Sequence, residues 1–376
     1  MLGTLSGERG LWAHRGTCIR ARSDAEVHMR LFLSSLIAVV AAIGTATAHT
    51  PASTVDTYLS TAKAAAGTDW AGTFLRLCIV PAAAPAGGRE AAGRAGGTPV
   101  GETWYAEPAK VADNLYFLGT KIHSAWALVG SQGIIVIEAL FDYAARDEIL
   151  DGLRKVGLDP GKVKYVILSH AHGDHDGGAK LLQDAIPGVH LIYGAEDWDS
   201  IDKLENRAGG KPKRDMVGDD GMRVSVGDAS VRIVTMPGHT PGTLSYLFDV
   251  RDNSKPLRVA YVGGTAIPFN ANAAYYDRYL ASSNKMAKAA ADYGATVLLS
   301  NHSEFDDAYF KAHTAAARKP GEPNPFGRYR WSGPLLRCRP GLHDGGEDSR
   351  GWPIKQVRSA STFLSAACSI RTCFSR

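Results

Sequence analysis

The sequence predicts a mixed α/β fold, and three observations support that prediction. Apolar, β-branched runs at 115–118, 125–129 and 133–137 are separated by turn residues and predict a β-meander. Helical and strand patterns then alternate from residue 147 to residue 203. A second run of strands between residues 222 and 262 is again followed by a helix, a strand and a helix. Two sheets with helices outside them would fit this order, although the pattern by itself defines only the α/β class.

The remaining elements are predicted from periodicity. Apolar residues at helical spacing predict helices, whereas alternating or continuous β-branched runs predict strands. The predicted helices cover residues 55–70, 147–156, 179–185, 195–203, 276–293 and 306–317. The predicted strands after the meander cover residues 163–168, 189–193, 222–226, 231–234, 244–250, 257–262 and 296–300.

Composition divides the chain of 376 residues into four parts. Residues 1–48 are an upstream extension plus a signal peptide, and residues 49–102 contain an N-terminal helix and a flexible linker rich in Ala, Gly and Pro. Residues 103–325 form the main domain, and residues 326–376 are an atypical tail. Two explanations of the tail stay open: a disordered segment, or a reading-frame error near Phe326.

The segment from Met29 to Ala48 is typical of a secretory signal peptide. Met29 and a basic residue precede an apolar run that ends in Ala46-Thr47-Ala48, which predicts Met29 as the true start and cleavage after Ala48. A membrane anchor is the alternative, but the run is shorter than the about 20 apolar residues that span a bilayer. The expected location is therefore periplasmic or secreted, without stable membrane association after cleavage.

Charge and cysteine content argue against two kinds of site. The formal net charge is +4, but segments 1–48 and 326–376 carry the positive excess and the middle of the chain is acidic. That balance gives no support for nucleic-acid binding, which favours a basic face. The cysteines all lie outside residues 103–325, so a metal site in that domain has no thiolate ligand.

The densest cluster of metal-binding side chains follows the predicted strand 163–168. His170 and His172 are two residues apart, so in an extended segment their side chains point the same way and can converge on one cation. Asp174 and His175 come after a turn and aim at a neighbouring point. Imidazole nitrogens and carboxylate oxygens bind zinc at about 2.0–2.2 Å, and open α/β sheets place ligands at the carboxyl ends of strands. This spacing predicts a metal centre.

The pattern His-x-His-x-Asp-His at 170–175 resembles the signature of the metallo-β-lactamase superfamily. Pro237-Gly238-His239-Thr240-Pro241-Gly242 is similar to the third-histidine turn of that superfamily. Leu298-Leu299-Ser300-Asn301-His302 is similar to the segment that carries its last histidine. The resemblance covers about Thr103 to Pro325, and it implies an αββα sandwich that holds two Zn²⁺ ions.

The resemblance also implies the ligand sets and the chemistry. The first zinc would be held by His170, His172 and His239, and the second by Asp174, His175 and His302. Each trio would leave a coordination position for water, and a zinc-bound hydroxide would attack a carbonyl carbon. Asp174 would be catalytic, because it can orient that hydroxide. The three-His plus Asp-His-His set is most similar to the third subclass of class B β-lactamases.

The implied function is hydrolysis of a small-molecule substrate, with opening of a β-lactam amide, and hence antibiotic resistance, as the leading reaction. A hydrolase of another ester, lactone or amide is one alternative, and a non-catalytic metal-binding scaffold is another. Thiolesterases and many lactonases of the superfamily carry a bridging Asp after the strand that follows the third histidine. Gly263-Gly264-Thr265 stands there in this chain, which favours the β-lactamases.

Several neighbouring residues have weaker assignments. His123 either walls the site or belongs to an ordinary hairpin turn, and Glu138 stands where relatives often have a structural Asp. Asp176 either supports the metal ligands from behind or caps a helix N-terminus, and the cap is the preferred interpretation. The segment Asp197-Trp198-Asp199 is predicted to lie on a helix surface.

Overall fold

The computed structural model describes most of the central part of the chain. The described residues are 54–67, 70–79, 104–268 and 271–327. They all belong to one compact unit, Ser53–Arg376, whereas a second unit, Met1–Ala52, lies outside the described residues. The expected signal peptide, the linker rich in Ala, Gly and Pro, and the tail from residue 328 also lie outside them. Within the described ranges, no helix combines the length and the hydropathy of a membrane span.

Helices and strands alternate along these ranges much as periodicity predicts. The strands are β1 Ala109–Ala112, β2 Leu115–Phe117, β3 Trp126–Gly130, β4 Gly133–Ile137, β5 Val163–Ile167, β6 His190–Tyr193, β7 Met216–Val217, β8 Arg223–Val226, β9 Ala229–Thr235, β10 Leu244–Asp252, β11 Lys255–Val262 and β12 Val297–Ser300. The α-helices are α1 Thr54–Ala66, α2 Ala71–Cys78, α3 Asp151–Lys155, α4 Gly173–Asp176, α5 Ala179–Ala185, α6 Ala195–Asp202, α7 Ala273–Tyr293, α8 Ser303–Asp306 and α9 Ala308–Ala316. A π-helical turn, Arg146–Leu150, leads directly into α3.

The strands form two sheets that pack face to face. The first has the order β1-β2-β3-β4-β5-β6-β7, and the second has the order β12-β11-β10-β9-β8. Their inner faces share one apolar core, which includes Phe117, Trp126, Ile137, Ile233, Tyr246, Phe248 and Tyr261. Leu153, Leu182 and Trp198 cover the outer face of the first sheet, and Met286, Ala287 and Ala290 of α7 cover that of the second. The αββα sandwich is therefore confirmed, with apolar side chains on both faces of each sheet.

The topology brings several loops to one edge of the sandwich. Strands β4, β5 and β6 run parallel, as do β11 and β12, so the segments that follow β5, β11 and β12 leave at carboxyl ends. An isolated antiparallel bridge between His123 and His302 joins the β2–β3 loop to the segment after β12. Residues that are far apart in the sequence therefore meet at this edge.

The N-terminal helices differ most from expectation. The helix predicted over 55–70 corresponds to α1, which ends at Ala66, and α2 follows it as a further helix that periodicity did not predict. Both helices contribute to an apolar cluster with α7 and α8. Thr73 Oγ1 donates to the Phe305 carbonyl at 2.6 Å, and Arg76 pairs with Glu304 at 2.7 Å. Strands β1 and β7 were not predicted, because β1 (Ala-Lys-Val-Ala) has a single β-branched residue and β7 has only two residues.

Candidate metal centre

His170 is a buried side chain at the edge of the sandwich where these loops meet. It follows β5 by a few residues and is only 1% exposed. Its Nδ1 lies 2.9 Å from the carbonyl oxygen of Gly263, which can only accept, so Nδ1 carries the proton and donates it. Its Nε2 has no hydrogen-bond partner among the described residues. A buried lone pair without a partner is costly, and a bound cation would satisfy it.

His172 and His239 complete a first trio with His170. His172 Nδ1 and His239 Nε2 are 3.0 Å apart, while His239 Nδ1 donates to the Ala266 carbonyl on the far side of its ring. The ligand atoms of the three residues all lie within 4.8 Å of one another. Backbone carbonyls therefore orient two of these rings, as is usual for metal-bound imidazoles.

A second group lies beside the first. Asp174 Oδ2 is 3.1 Å from His175 Nε2 and 3.6 Å from His302 Nε2, and the two Nε2 atoms are 3.1 Å apart. His123 Nε2 also lies 3.7 Å from Asp174 Oδ2, and His123, Asp174 and His302 have ligand atoms within 4.8 Å of one another. The structure thus brings all six sequence-predicted site residues together and adds His123 to them.

The electrostatics suit cation binding. Burial lowers the pKa of His123 and of His239 to about 4, so both rings are neutral near pH 7 and can act as ligands. Burial alone would raise the pKa of Asp174, but the imidazoles of His175 and His302 hold it well below its usual value. Asp174 in turn raises the pKa of His175, whose proton a bound cation would displace. Neutral His123 and His239 and an ionised Asp174 are donors that fit a divalent metal such as zinc.

Asp197 ties together two of the turns that carry histidines. Its carboxylate accepts from Ala171 N at 2.8 Å, Thr240 Oγ1 at 2.9 Å and Gly242 N at 3.0 Å. The predicted helix-surface location is therefore wrong for Asp197 and for Trp198, which are both buried, whereas Asp199 is exposed. The N-terminal turn of α6 faces inward because Gly242 packs directly on it: a Cβ there would lie 2.6 Å from Asp197 N.

Glu138 is a buried residue that contacts the segment carrying the metal-binding histidines. It is fully buried at a φ of 70°, and it accepts from Tyr261 Oη at 2.8 Å and from Ser169 N at 3.3 Å. Its Oε2 also lies 3.9 Å from His175 Nδ1. Glu138 therefore holds the backbone beside His170, while its carboxyl group faces the ring of His175.

The prediction that Asp176 caps a helix N-terminus is wrong. Asp176 is the last residue of α4, is fully buried and pairs with Arg207. The following helix, α5, has Gly178 at its N-cap position and no side-chain cap. The ion pair instead attaches α4 to the 203–214 loop, because a buried carboxylate needs a partner.

The two glycines after β11 leave no room for side chains. A Cβ on Gly263 would lie 1.8 Å from the Leu244 carbonyl oxygen, and one on Gly264 would lie 2.6 Å from His239 Cβ. Asn301 Nδ2 also donates to the Gly263 carbonyl at 2.7 Å. The chain thus has no carboxylate between the two groups of ligands on this side, and close packing around His239 prevents one.

Comparisons with known proteins agree with this architecture. Residues 118–254 match the family model described as the metallo-beta-lactamase superfamily. A hydroxyacylglutathione hydrolase of Gloeobacter violaceus is 30% identical over 110 residues, which are 29% of this chain and 38% of that protein. An N-acyl homoserine lactonase of Agrobacterium fabrum is 32% identical over 119 residues, which are 29% of this chain and 44% of that protein. This chain therefore spans about two fifths of the length of these curated relatives.

Solved structures show the same fold over a larger share of the chain. A subclass B3 metallo-beta-lactamase of Bradyrhizobium japonicum has a TM-score of 0.54 at 24% identity and covers 72% of this chain and 94% of its own. The FEZ-1 enzyme of Legionella gormanii, another metallo-beta-lactamase, has a TM-score of 0.52 at 22% identity and covers 59% of this chain and 87% of its own. The match to the metallo-beta-lactamase superfamily covers residues 118–254, and the sandwich with its histidine-lined edge agrees with that match.

Proposed function

We propose that this protein is a hydrolase that depends on two Zn²⁺ ions. The observation that carries the proposal is the meeting of two groups of ligand atoms at one edge of the sandwich, one made of three histidines and the other centred on Asp174 with His175 and His302 beside it. The first zinc would be held by His170, His172 and His239, and the second by Asp174, His175 and His302. The unpartnered Nε2 of buried His170 supports the first of these assignments.

When bound, the two ions would supply Lewis acidity and a water activated at neutral pH. The chain itself supplies the orientation. Asp174 stays ionised at neutral pH because imidazoles surround it, so it can accept a hydrogen bond from the nucleophilic water. The Gly263 and Ala266 carbonyls hold the rings of His170 and His239 in fixed tautomers, which keeps their other nitrogens available to the metal.

The substrate we favour is a β-lactam amide. Two observations support it: the fold extends over most of a subclass B3 metallo-beta-lactamase, and Gly264 has no space for the bridging Asp expected of thiolesterases and lactonases in this superfamily. The sequence pattern at 29–48 further suggests export to the periplasm or beyond, where such substrates are met.

A hydrolase of another ester, thioester or lactone is the second candidate. The specific observation in its favour is local sequence identity of 30–32% to a hydroxyacylglutathione hydrolase and an N-acyl homoserine lactonase. That identity covers less than half of each relative, so the whole of either relative's activity does not follow from it.

Hydrolysis assays on the full chain test the proposal. We expect turnover of a chromogenic cephalosporin that a chelator abolishes and added zinc restores. Turnover of a thioester or an N-acyl homoserine lactone alone would move the assignment to the second candidate. Bound zinc without any turnover would indicate a metal-binding scaffold, and the absence of bound zinc would refute the hydrolase.

A further inference from the structure

The position of His123 is set by the backbone on both sides of the β2–β3 loop. Thr120 Oγ1 accepts from His123 N at 2.9 Å, and Thr120 N donates to the His123 carbonyl at 2.8 Å, which closes a tight turn. His123 then forms an antiparallel bridge with His302, and Ser124 N donates to the Asn301 carbonyl at 2.9 Å. Residues directly opposite each other in an antiparallel pair present their side chains on the same face. The rings of His123 and His302 accordingly lie 5.1 Å apart.

Packing, and not hydrogen bonding, orients the His123 ring. The ring is 5.5 Å from that of Trp104 and 5.1 Å, edge to face, from that of Phe141. Nδ1 is buried without a hydrogen-bond partner among the described residues. The aromatic side chains close off the outer side of the ring, so Nε2 is the nitrogen that faces Asp174.

The spacing around Asp174 matches a shared cation better than a hydrogen bond. His123 Nε2 and Asp174 Oδ2 are 3.7 Å apart, beyond hydrogen-bond range. His302, which belongs to the proposed second site, has its Nε2 atom 3.6 Å from the same Asp174 Oδ2. Two donor atoms bound tetrahedrally to one zinc lie about 3.3 Å apart, given metal–ligand distances of about 2.0–2.1 Å. A small adjustment of the rings would bring both nitrogens to a common ion.

We propose that His123 is a fourth protein ligand of the second metal, beside Asp174, His175 and His302. The proposal rests on the proposed function, since it requires that metal binds at all. The ring centroid of His123 lies 6.0 Å from that of His175 and 5.1 Å from that of His302, so the three rings occupy separate positions around Asp174. The second site then has four protein donors and the first has three. By the general rule for zinc, the first site keeps an open position whereas the second is closed.

Metal titrations of the full chain test this assignment, with His123→Ala compared with His190→Ala. His190 is an exposed histidine on β6 that pairs with Asp215, so its loss is a matched control. We expect wild type and His190→Ala to bind two Co²⁺ or Zn²⁺ ions with the same affinities. In His123→Ala, competition with a chelator should show the second ion bound at least about tenfold more weakly and the first unchanged. The cobalt absorption spectrum should change only in the part that the second ion contributes.

A second variant and a measurement on wild type distinguish the loss of a metal ligand from misfolding of the His123→Ala variant. His123→Phe fills the space between Trp104 and Phe141 without offering a donor, and it should show the same weakening. In the cobalt-loaded wild-type chain, NMR should show a shifted exchangeable imidazole proton for His123 as well as for the other ligands. Unchanged second-ion affinity and spectrum in both variants, or a missing His123 resonance, would overturn the inference. Failure of wild type to bind any metal would instead overturn the proposed function.

Discussion

Asp174 is half-buried and Glu148 is buried, and the surroundings of these two carboxylates differ. Asp174 lies among the imidazoles of the metal centre, which keep its pKa well below the usual value despite burial. Glu148 lies in the π-helical turn Arg146–Leu150, where Oε1 accepts from Ala106 N at 3.1 Å and Oε2 has no hydrogen-bond partner within the described part of the chain. Burial raises the pKa of Glu148 to about 8.

The difference teaches that burial alone does not decide the state of a carboxylate. A desolvated carboxylate becomes neutral unless nearby groups favour its charge. At Asp174 those groups are histidines contributed by separate loops, which is the arrangement expected of a cation site. Asp197 is intermediate, because burial raises its pKa while three hydrogen bonds oppose the shift.

The largest effect is expected from Asp174→Asn. The amide keeps the shape but removes the negative charge that the surrounding imidazoles and the second metal would share. We expect hydrolytic activity to fall about a thousandfold and the second ion to bind more weakly. Steady-state kinetics and metal analysis would measure both. Activity close to wild type with two ions bound would show that the contrast between Asp174 and Glu148 has no functional meaning.

Glu148→Gln should change the pH dependence of stability and leave activity intact. The folded-state pKa of Glu148, about 8, lies above the ordinary 4.5. Its neutral form therefore contributes stability that is complete below pH 4.5 and is lost as the pH rises through about 8. Between pH 5 and pH 9 we expect wild type to lose roughly 4 kcal/mol more unfolding free energy than the variant. Parallel denaturation curves over this range would contradict the expectation.

Asp197→Asn is expected to give the smallest effect of the three. The substitution turns one acceptor oxygen into a donor that faces the backbone N–H groups it should bind, which loosens the turns around His172 and His239. Metal affinity at the first site should fall about 10–100-fold, as for other groups that orient ligands. Asp199→Asn, an exposed position on the same helix, is the control and should retain wild-type affinity. Equal affinities in the two variants would show that Asp197 does not orient the site.

The spacing of residues along the sequence was enough to predict most secondary-structure elements and the candidate metal ligands of this protein. The period of two or 3.6 residues located most strands and helices, and the pattern at 170–175 placed four candidate ligands within one turn of chain. Motifs at 237–242 and 298–302 identified His239 and His302 by resemblance. These signals are readable because each depends on residues close together in sequence.

Only the tertiary structure decided what depends on contacts between distant segments. His123 joins Asp174 because a bridge to His302 brings the β2–β3 loop across the edge, and no local pattern encodes that bridge. Asp197 is buried because the turn at Gly242 packs on α6, although the helix by itself looks polar. Periodicity reports which face of an element is apolar, whereas the identity of the partner across that face depends on how the whole chain folds.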